Sequence, residues 1–278
     1  MLRASIALCT LLPLIALSQA ATQSVLATDD VACRHPPYKV HVVSASPLVV
    51  YLEGFITPEE CTHLKAETEH TFAHSAVAER GTSDGRAIHS VRTSQSTNVP
   101  RDSVVHCIEE RALQFQGLFG GEEDERRLEP LQLVKYGAGE HYHYHTDWFT
   151  DPVHATAALG GNRASSFFAY VHVSETNATQ RTRRLRGGGT NFPLLNSPLA
   201  PAWCAFLDCD EPWERGVTFR PVQGNAVYWE NLLPAGPSQH REGDHRTLHA
   251  GLPVVGGEKI GMNIWTRQGT VPAEVRGL

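Results

Sequence analysis

The sequence predicts an α+β protein whose core is a double-stranded β-helix (jelly roll) with N-terminal supporting helices. Three observations lead to this prediction. The 278 residues are 41% hydrophobic and 19% charged, proportions typical of a folded globular protein. Signals for helix starts occur in the first half of the chain, at Thr57 and Asp102. From Leu131 onward, about eight short β-like runs are separated by Gly and Pro, a pattern typical of sandwiches, barrels and jelly rolls.

The chain is expected to begin with a targeting segment. Arg3 precedes an apolar run from Ile6 to Leu17, and Ser18 and Ala20 follow as small residues of a cleavage site. The run is shorter than the ~20 residues that a membrane-spanning helix needs. Residues 1–20 are therefore interpreted as a signal peptide, with an uncleaved signal anchor as the alternative, and residues 21–45 as a loose tail.

Residues 46–130 are predicted to form a helical support region, continuous with the β-rich half of the chain because no linker divides the two. Pro47–Phe55 is strand-like. The sequence Thr57-Pro58-Glu59-Glu60 is a capping-box pattern with proline in the first turn, so a helix should start there. Ser90–Ser94 is short and β-like, and Asp102 is expected to cap a second helix.

Residues 131–270 are predicted to form the jelly-roll core. Gly256-Gly257 looks like a hairpin turn, which by parity would turn His249 and Lys259 to opposite sides unless their strands belong to opposite sheets. A double-sheet fold lets both side chains point inward and is preferred. Residues 175–189 are expected to form an exposed loop, and residues 196–220 a covering flap. The predicted strands are Leu131–Tyr136, His141–Asp147, Ser165–Val173, Thr190–Pro193, Ala205–Leu207, Asn225–Trp229, His249–Val254 and Lys259–Thr266.

His145 and Asp147 form a candidate metal-binding pair. Residues two apart on a strand share a face, so this pair offers one imidazole and one carboxylate. His249 is the candidate third ligand. Two histidines and one carboxylate leave adjacent positions on the metal open, as in non-haem Fe(II) oxygenases. An isolated His-x-Asp pair is usually just two polar residues on the protein surface, so the prediction depends on the residues around it.

Lys259 is the candidate anion-binding residue. An open Fe(II) needs an electron source to activate oxygen, and a chelating oxo-acid anchored at its far carboxylate can be that source. A buried lysine without a partner is costly, so an inward-facing Lys259 implies a bound anion. The alternative is a surface lysine beside a turn.

These residues lie in motifs that resemble the prolyl 4-hydroxylase family of Fe(II)/2-oxoglutarate dioxygenases. The resemblance covers about residues 46–267, and metal pair, third histidine, lysine and tryptophan fall in the family's order. The shared motifs are FITPEEC at 55–61, SVRTS at 90–94, IEER at 108–111, KYGAGEHYHYHTD at 135–147, GGGTNFP at 187–193, GNAVYW at 224–229 and LHAGLPVVGGEKIGMNIW at 248–265.

The resemblance implies a role for each matching residue. It implies that Fe(II), 2-oxoglutarate and O2 are used, with L-ascorbate as reductant, to convert peptidyl proline to 4-hydroxyproline with release of succinate and carbon dioxide. On a regular strand Tyr142 would face away from His145. The implied residues are His145, Asp147 and His249 as iron ligands, Lys259 with Tyr136 and Thr190 at 2-oxoglutarate, and Arg163, Trp265 and Tyr142 on the substrate side.

The substrate is less well specified than the cofactors. The loops 175–189 and 196–220 are longer than in the family, and Arg267 stands where some members carry histidine. Trp203, Trp213 and the basic run Arg181–Arg186 either line a groove for a polyproline-II peptide or simply pack the flap and remain solvated. Hydroxylation of a free amino acid or small metabolite is the alternative function. A catalytically inactive binding module is disfavoured by the intact ligand set.

The cysteines and a sequon fit the secretory pathway, either the endoplasmic reticulum lumen or export. Of six cysteines, Cys9 lies in the leader, and an oxidising lumen would permit disulfides among the others. The expected disulfide pairs are Cys204 with Cys209 and Cys61 with Cys107. This pairing would leave Cys33 as a free thiol. Asn177 begins a glycosylation sequon. The net charge of −6 gives no indication of a nucleic-acid partner, and a membrane is expected only if the leader is uncleaved.

Overall fold

The computed structural model describes residues 33, 35–75, 92–119, 121–175, 184–198, 200–210, 215–235 and 241–276. The strands are β1 Lys39–Ala45, β2 Leu48–Glu53, β3 Ala73–His74, β4 Gln95–Asn98, β5 Gln132–Tyr136, β6 Tyr142–His145, β7 Arg163–Val173, β8 Arg186–Gly187, β9 Thr190–Phe192, β10 Val217–Phe219, β11 Ala226–Glu230, β12 His249–Gly251, β13 Val254–Gly256 and β14 Lys259–Arg267. The α-helices are α1 Pro58–Thr68, α2 Ser103–Phe115, α3 Glu122–Glu125 and α4 Ala273–Arg276.

Two antiparallel sheets form the jelly roll. The large sheet has the order β1-β2-β11-β7-β14-β5-β4-β3, and the small sheet has the order β10-β9-β12-β6. A two-stranded ribbon, β13-β8, lies beside them. His249 and Lys259 belong to opposite sheets, so the predicted double-sheet fold is confirmed.

The central strands of the large sheet are buried on both faces, and alternate residues of these strands enter different cores. Ile260, Met262 and Ile264 of β14 pack in one cluster with Leu64 of α1 and Ile108 of α2. The opposite face of the sheet contributes to a second cluster, shared with the small sheet through Val134, Tyr170, Phe192, Phe219 and Trp229. The period-two alternation of side chains thus separates a helix-facing core from the interior of the jelly roll.

Both predicted helix starts are observed. The Thr57 hydroxyl accepts from the Glu60 amide at 3.1 Å, and the Glu60 carboxylate accepts from the Thr57 amide at 2.9 Å. The Asp102 carboxylate accepts from the Val105 amide at 2.8 Å. The buried Arg111 of α2 donates to Glu60 at 2.6 and 2.9 Å, and this ion pair joins the two helices.

Several predicted strands differ from the structure. The interval Ala205–Leu207 is not a strand, because a 3-10 helix occupies Pro201–Ala205. His249–Val254 divides into β12 and β13, and β13 pairs with β8, so Gly256-Gly257 does not close a hairpin onto β14. In the SVRTS segment Arg92 makes only an isolated bridge, to Tyr142, and the strand itself begins at Gln95.

Two further boundaries also differ. The ordered fold begins earlier than predicted, because β1 lies within the predicted loose tail and pairs with β2. The segment 196–220 is more than a flap, because its strand β10 pairs with β9 and extends the small sheet. The leader and Asn177 lie outside the described residues. Within the described part of the chain, no helix is both long and apolar enough to cross a bilayer.

The disulfide pairing is only partly as predicted. Cys204 pairs with Cys209, as expected. Cys33 pairs with Cys107 across 74 residues, and Cys61 is a buried free thiol. The predicted Cys61–Cys107 pair is therefore wrong, since the segment before β1 lies against α2. Burial raises the pKa of the Cys61 thiol to about 12.

Candidate active site

The three predicted metal ligands converge between the strands of the small sheet. His145 at the end of β6 lies opposite His249 at the start of β12, and Asp147 follows β6 by two residues. One ligand atom from each residue lies within 4.8 Å of the others. Oδ1 of Asp147 is 3.9 Å from the Nε2 atoms of both histidines. Two imidazoles and one carboxylate at this spacing fit a divalent metal such as Fe(II).

Backbone carbonyls orient both histidines. Nδ1 of His145 lies 2.7 Å from the His143 carbonyl, and Nδ1 of His249 lies 3.0 Å from the Thr247 carbonyl. With Nδ1 donating, each ring directs an unprotonated Nε2 at the site. Burial, followed by the neighbouring His249, lowers the pKa of His145. Burial opposes ionisation of Asp147, but His249, His145 and Arg163 outweigh it and lower the pKa of the carboxyl. His145 is therefore neutral and Asp147 is ionised at neutral pH, as binding of a metal cation requires.

Trp265 and Arg163 form a connected group beside Asp147. The Trp265 indole N–H donates to Oδ2 of Asp147 at 3.0 Å, which leaves Oδ1 directed at the histidines. The Arg163 guanidinium lies 3.6 Å from the centre of the Trp265 ring. Glu129 holds Arg163 by two hydrogen bonds, of 2.8 and 2.7 Å, and also pairs with Arg267 at 2.7 Å. One carboxylate thus fixes the positions of both arginines.

Tyr142 lies against His145, contrary to the parity argument. Their rings stack with centroids 3.6 Å apart, and the Arg92 guanidinium lies 4.6 Å from the Tyr142 ring centre on this surface. The cause is an irregularity in the β6–β12 pairing: Tyr142 faces Gly251 while His145 faces His249. Tyr142 and His145 are three residues apart on β6, whereas their partners Gly251 and His249 are two residues apart on β12, so β6 contains one extra residue. This bulge shifts the alternation by one residue and brings both side chains to one face.

Lys259, Tyr136 and Thr190 lie together, but not in equivalent positions. Tyr136 and Thr190 line the cleft that contains the metal ligands, whereas Lys259 is fully buried immediately behind them. Its ammonium donates to the Gly188 carbonyl and lies 4.7 Å from the Tyr136 ring centre. Burial alone lowers the pKa of Lys259 to about 7, and no carboxylate of the described residues pairs with it. A buried ammonium without a counterion fits an anionic cofactor.

Burial keeps both nearby tyrosine hydroxyls, of Tyr136 and Tyr170, protonated. Burial raises the pKa of Tyr136 to about 12, so its phenol keeps its proton at neutral pH. Tyr170 donates to the Thr190 hydroxyl at 2.9 Å, which leaves the Thr190 proton available for an acceptor in the cleft.

The cleft has a volume of about 590 Å³ and is lined by every predicted site residue except Lys259. Trp203 is not among its lining residues; it packs on Phe206 and His41, with ring centres 5.3 and 6.3 Å away. Arg184 and Arg186 line a different cavity, of about 990 Å³. Of the two interpretations, packing of the flap therefore describes Trp203, and Arg184 and Arg186 do not line the cleft. Trp213, Arg181 and Arg183 lie outside the described residues.

Sequence reasoning missed Glu129, which connects Arg163 to Arg267. A single glutamate before Pro130 carries no periodic or spacing signal, and its two partners lie 34 and 138 positions further along the chain. Its role follows only from the pairing of β14 with β5 and β7, which brings these segments together.

Comparison with known proteins assigns the site to a class. The family model described as "2OG-Fe(II) oxygenase superfamily" matches residues 131–267, the segment that carries all the candidate ligands. The fold agrees: the viral collagen prolyl hydroxylase of Paramecium bursaria Chlorella virus 1, solved as a 2-oxoglutarate complex, superimposes with a TM-score of 0.52 at 22% identity, over 79% of this chain and 95% of that one. The protein is a 2OG-Fe(II) oxygenase, with Fe(II) and 2-oxoglutarate as its cofactors.

Two plant relatives identify the family within this class. Prolyl 4-hydroxylase 2 of Arabidopsis thaliana is 31% identical over 235 residues, covering 82% of this chain and 70% of the relative. Probable prolyl 4-hydroxylase 4 of the same plant is 30% identical over the same length and coverage. The chain belongs to the prolyl 4-hydroxylase family.

Proposed function

We propose that this protein hydroxylates peptidyl proline to 4-hydroxyproline, with release of succinate and carbon dioxide. The observation that carries the proposal is the convergence of His145, Asp147 and His249 in a cleft that also presents Tyr142, Arg163 and Trp265. The relatives named as prolyl 4-hydroxylases support the choice of proline as substrate.

In the proposed site, His145, Asp147 and His249 would hold Fe(II). Lys259 neutralises the distal carboxylate of 2-oxoglutarate, while Tyr136 and Thr190 donate hydrogen bonds to it. When bound, Fe(II) and 2-oxoglutarate supply the oxidising power that inserts one atom of O2 into a C–H bond.

The protein's own contribution is orientation. The Trp265 N–H donates to Oδ2 of Asp147, so only Oδ1 of the carboxylate would be left to bind the metal. Glu129 fixes the Arg163 guanidinium through Nε and Nη2, while Nη1 lies 3.5 Å from the Asp147 backbone carbonyl. The flat surfaces of Tyr142 and Trp265 then bound the space in which a proline ring is presented.

We propose that the protein works in the secretory pathway, in the endoplasmic reticulum lumen or after export. Two disulfides, Cys33–Cys107 and Cys204–Cys209, support this location, because such bonds persist in oxidising compartments. L-Ascorbate is the proposed reductant.

Succinate release separates the peptide substrate from the small-molecule alternative. The protein is supplied with Fe(II), 2-oxoglutarate and ascorbate, and then with either a proline-rich peptide or free proline. We expect succinate and 4-hydroxyproline to form in equal amounts with the peptide and only background succinate with free proline. Coupled turnover of free proline, without turnover of the peptide, would replace the proposal by a metabolite hydroxylase.

A further inference from the structure

Three amide side chains form a row across neighbouring strands inside the cleft. Asn98 of β4 lies directly opposite Gln132 of β5, and Gln132 lies directly opposite Asn263 of β14. Directly opposed residues share a face, so all three point to the same side of the large sheet. All three line the cleft that contains the metal ligands. Trp265 stands on the same face, two residues beyond Asn263, at about 6.8 Å along the strand.

The row, Asn98–Gln132–Asn263, has unused hydrogen-bonding capacity. The Asn263 amide donates to the Gln132 carbonyl oxygen at 3.3 Å. Asn98 is exposed, and the other two are half-buried. Each amide has two N–H donors, so the row offers several donors to a molecule in the cleft.

The spacing of the row matches one ligand conformation. Adjacent strands are about 4.8 Å apart, so Asn98 and Asn263, two strands apart, are separated by about 9.6 Å. A polyproline-II helix repeats every three residues at 3.1 Å each, or about 9.3 Å per turn. An extended strand repeats every two residues, at about 6.8 Å, and would not present equivalent groups to both ends of the row.

The chemistry of a proline-rich segment fits the same row. Polyproline II makes no internal hydrogen bonds, so its carbonyl oxygens need external donors. Proline has no backbone N–H, so the segment presents acceptors only. The amide N–H groups of the row are donors of the required kind.

We propose that the row is a peptide-binding subsite that holds the carbonyls of a polyproline-II segment running across β14, β5 and β4, away from the target proline beside Trp265. The inference rests on the proposed function, because it requires a peptide substrate. Asn98 and Asn263 would contact carbonyls one turn apart, and Gln132 would bind between them.

Peptide length tests this subsite. Blocked polyproline peptides of three and nine residues are titrated into the Mn(II)- and 2-oxoglutarate-loaded protein, in which no turnover occurs, and KM is then measured with Fe(II). Gln132→Met and Asn98→Leu remove donors with little change of shape. Gln95→Met is the matched control, because Gln95 lies on β4 and, three residues from Asn98, faces the other side of the sheet.

We expect the wild-type protein to bind the nine-residue peptide more tightly than the three-residue one. Gln132→Met and Asn98→Leu should each weaken binding of the longer peptide about 3- to 10-fold, as for loss of one hydrogen bond, without changing the shorter one. Gln95→Met should change neither. Wild-type-like binding of the longer peptide by Gln132→Met and Asn98→Leu would overturn the subsite, as would an equal loss for both lengths. Tight binding that yields no hydroxyproline would instead refute the proposed function.

Discussion

The charge state of Lys259 should make 2-oxoglutarate affinity depend on pH. Burial lowers its pKa from 10.5 to about 7 in the ligand-free protein, and a carboxylate at the ammonium raises the pKa again. Above pH 7, binding therefore requires proton uptake, and the affinity falls about tenfold per pH unit. From pH 7 to pH 9 the protonated fraction drops from about one half to about one hundredth, so we expect binding to weaken about 50-fold.

Calorimetric titration of 2-oxoglutarate into the Mn(II)-loaded protein measures this dependence. Lys259→Arg is the matched control, because a guanidinium stays charged throughout the range. Other titrating groups in the site are the same in the wild type and in Lys259→Arg, so their effect on the pH dependence of affinity cancels when the two are compared. We expect a flatter profile for the arginine variant. Equal slopes for the two proteins would refute the assignment of Lys259 to the cofactor carboxylate.

The same burial should destabilise the ligand-free fold. The folded pKa lies below the unfolded value, so the penalty is absent above pH 10.5, grows as the pH falls towards 7 and is constant below it. The fall in the Lys259 pKa from 10.5 to about 7 corresponds to a destabilisation of about 5 kcal/mol below pH 7. Lys259→Met removes this penalty together with the bond to Gly188. At pH 6 the variant should melt at a higher temperature than the wild type, and 2-oxoglutarate should no longer raise its Tm. A lower Tm with an intact cofactor response would contradict this.

Three other changes probe the metal ligands and the disulfide. Asp147→Ala should abolish Fe(II)-dependent succinate release with an unchanged circular dichroism spectrum; normal turnover would rule out the carboxylate as a ligand. Trp265→Phe should weaken Mn(II) binding at least about 10-fold, because Asp147 loses the donor that orients it, and unchanged metal affinity in calorimetry would show that the indole acts only on substrate. Cys33→Ser should lower stability by about 4 kcal/mol, the loop-closure value for the 74-residue separation, as measured by denaturant unfolding. In the wild type, peptide mapping should find Cys33 joined to Cys107, and Cys61 should be alkylated only after denaturation, since burial raises its pKa to about 12.

The features that the sequence predicted correctly are those with local or strictly spaced signals. The capping box at Thr57 depends on residues three apart, so it can be predicted from the sequence without knowledge of the tertiary structure. The metal ligands are predictable because His145 and Asp147 are close in sequence and His249 lies within a family motif. The double-sheet architecture follows from the need to turn both His249 and Lys259 inward.

The errors arise where a distant contact decides the outcome. Cys33 pairs with Cys107 because the segment before β1 lies against α2, and nothing near Cys33 in the sequence indicates that contact. Loop length alone favours a position for Trp203 at the cleft, but its aromatic neighbours His41 and Phe206 hold it elsewhere.

The bulge between β6 and β12 sets limits on how this chain can evolve. Removing one residue between Tyr142 and His145 would leave them two apart, so a regular strand without the bulge would still place both rings on one face. Adding one would displace His145 from its position opposite His249. At the present length the two rings share a face only because of the bulge, and its loss would turn the Tyr142 ring away from His145, so we expect the bulge and the two residues between the rings to be retained together. The number of residues between these two aromatic rings is itself an inherited property of the catalytic site.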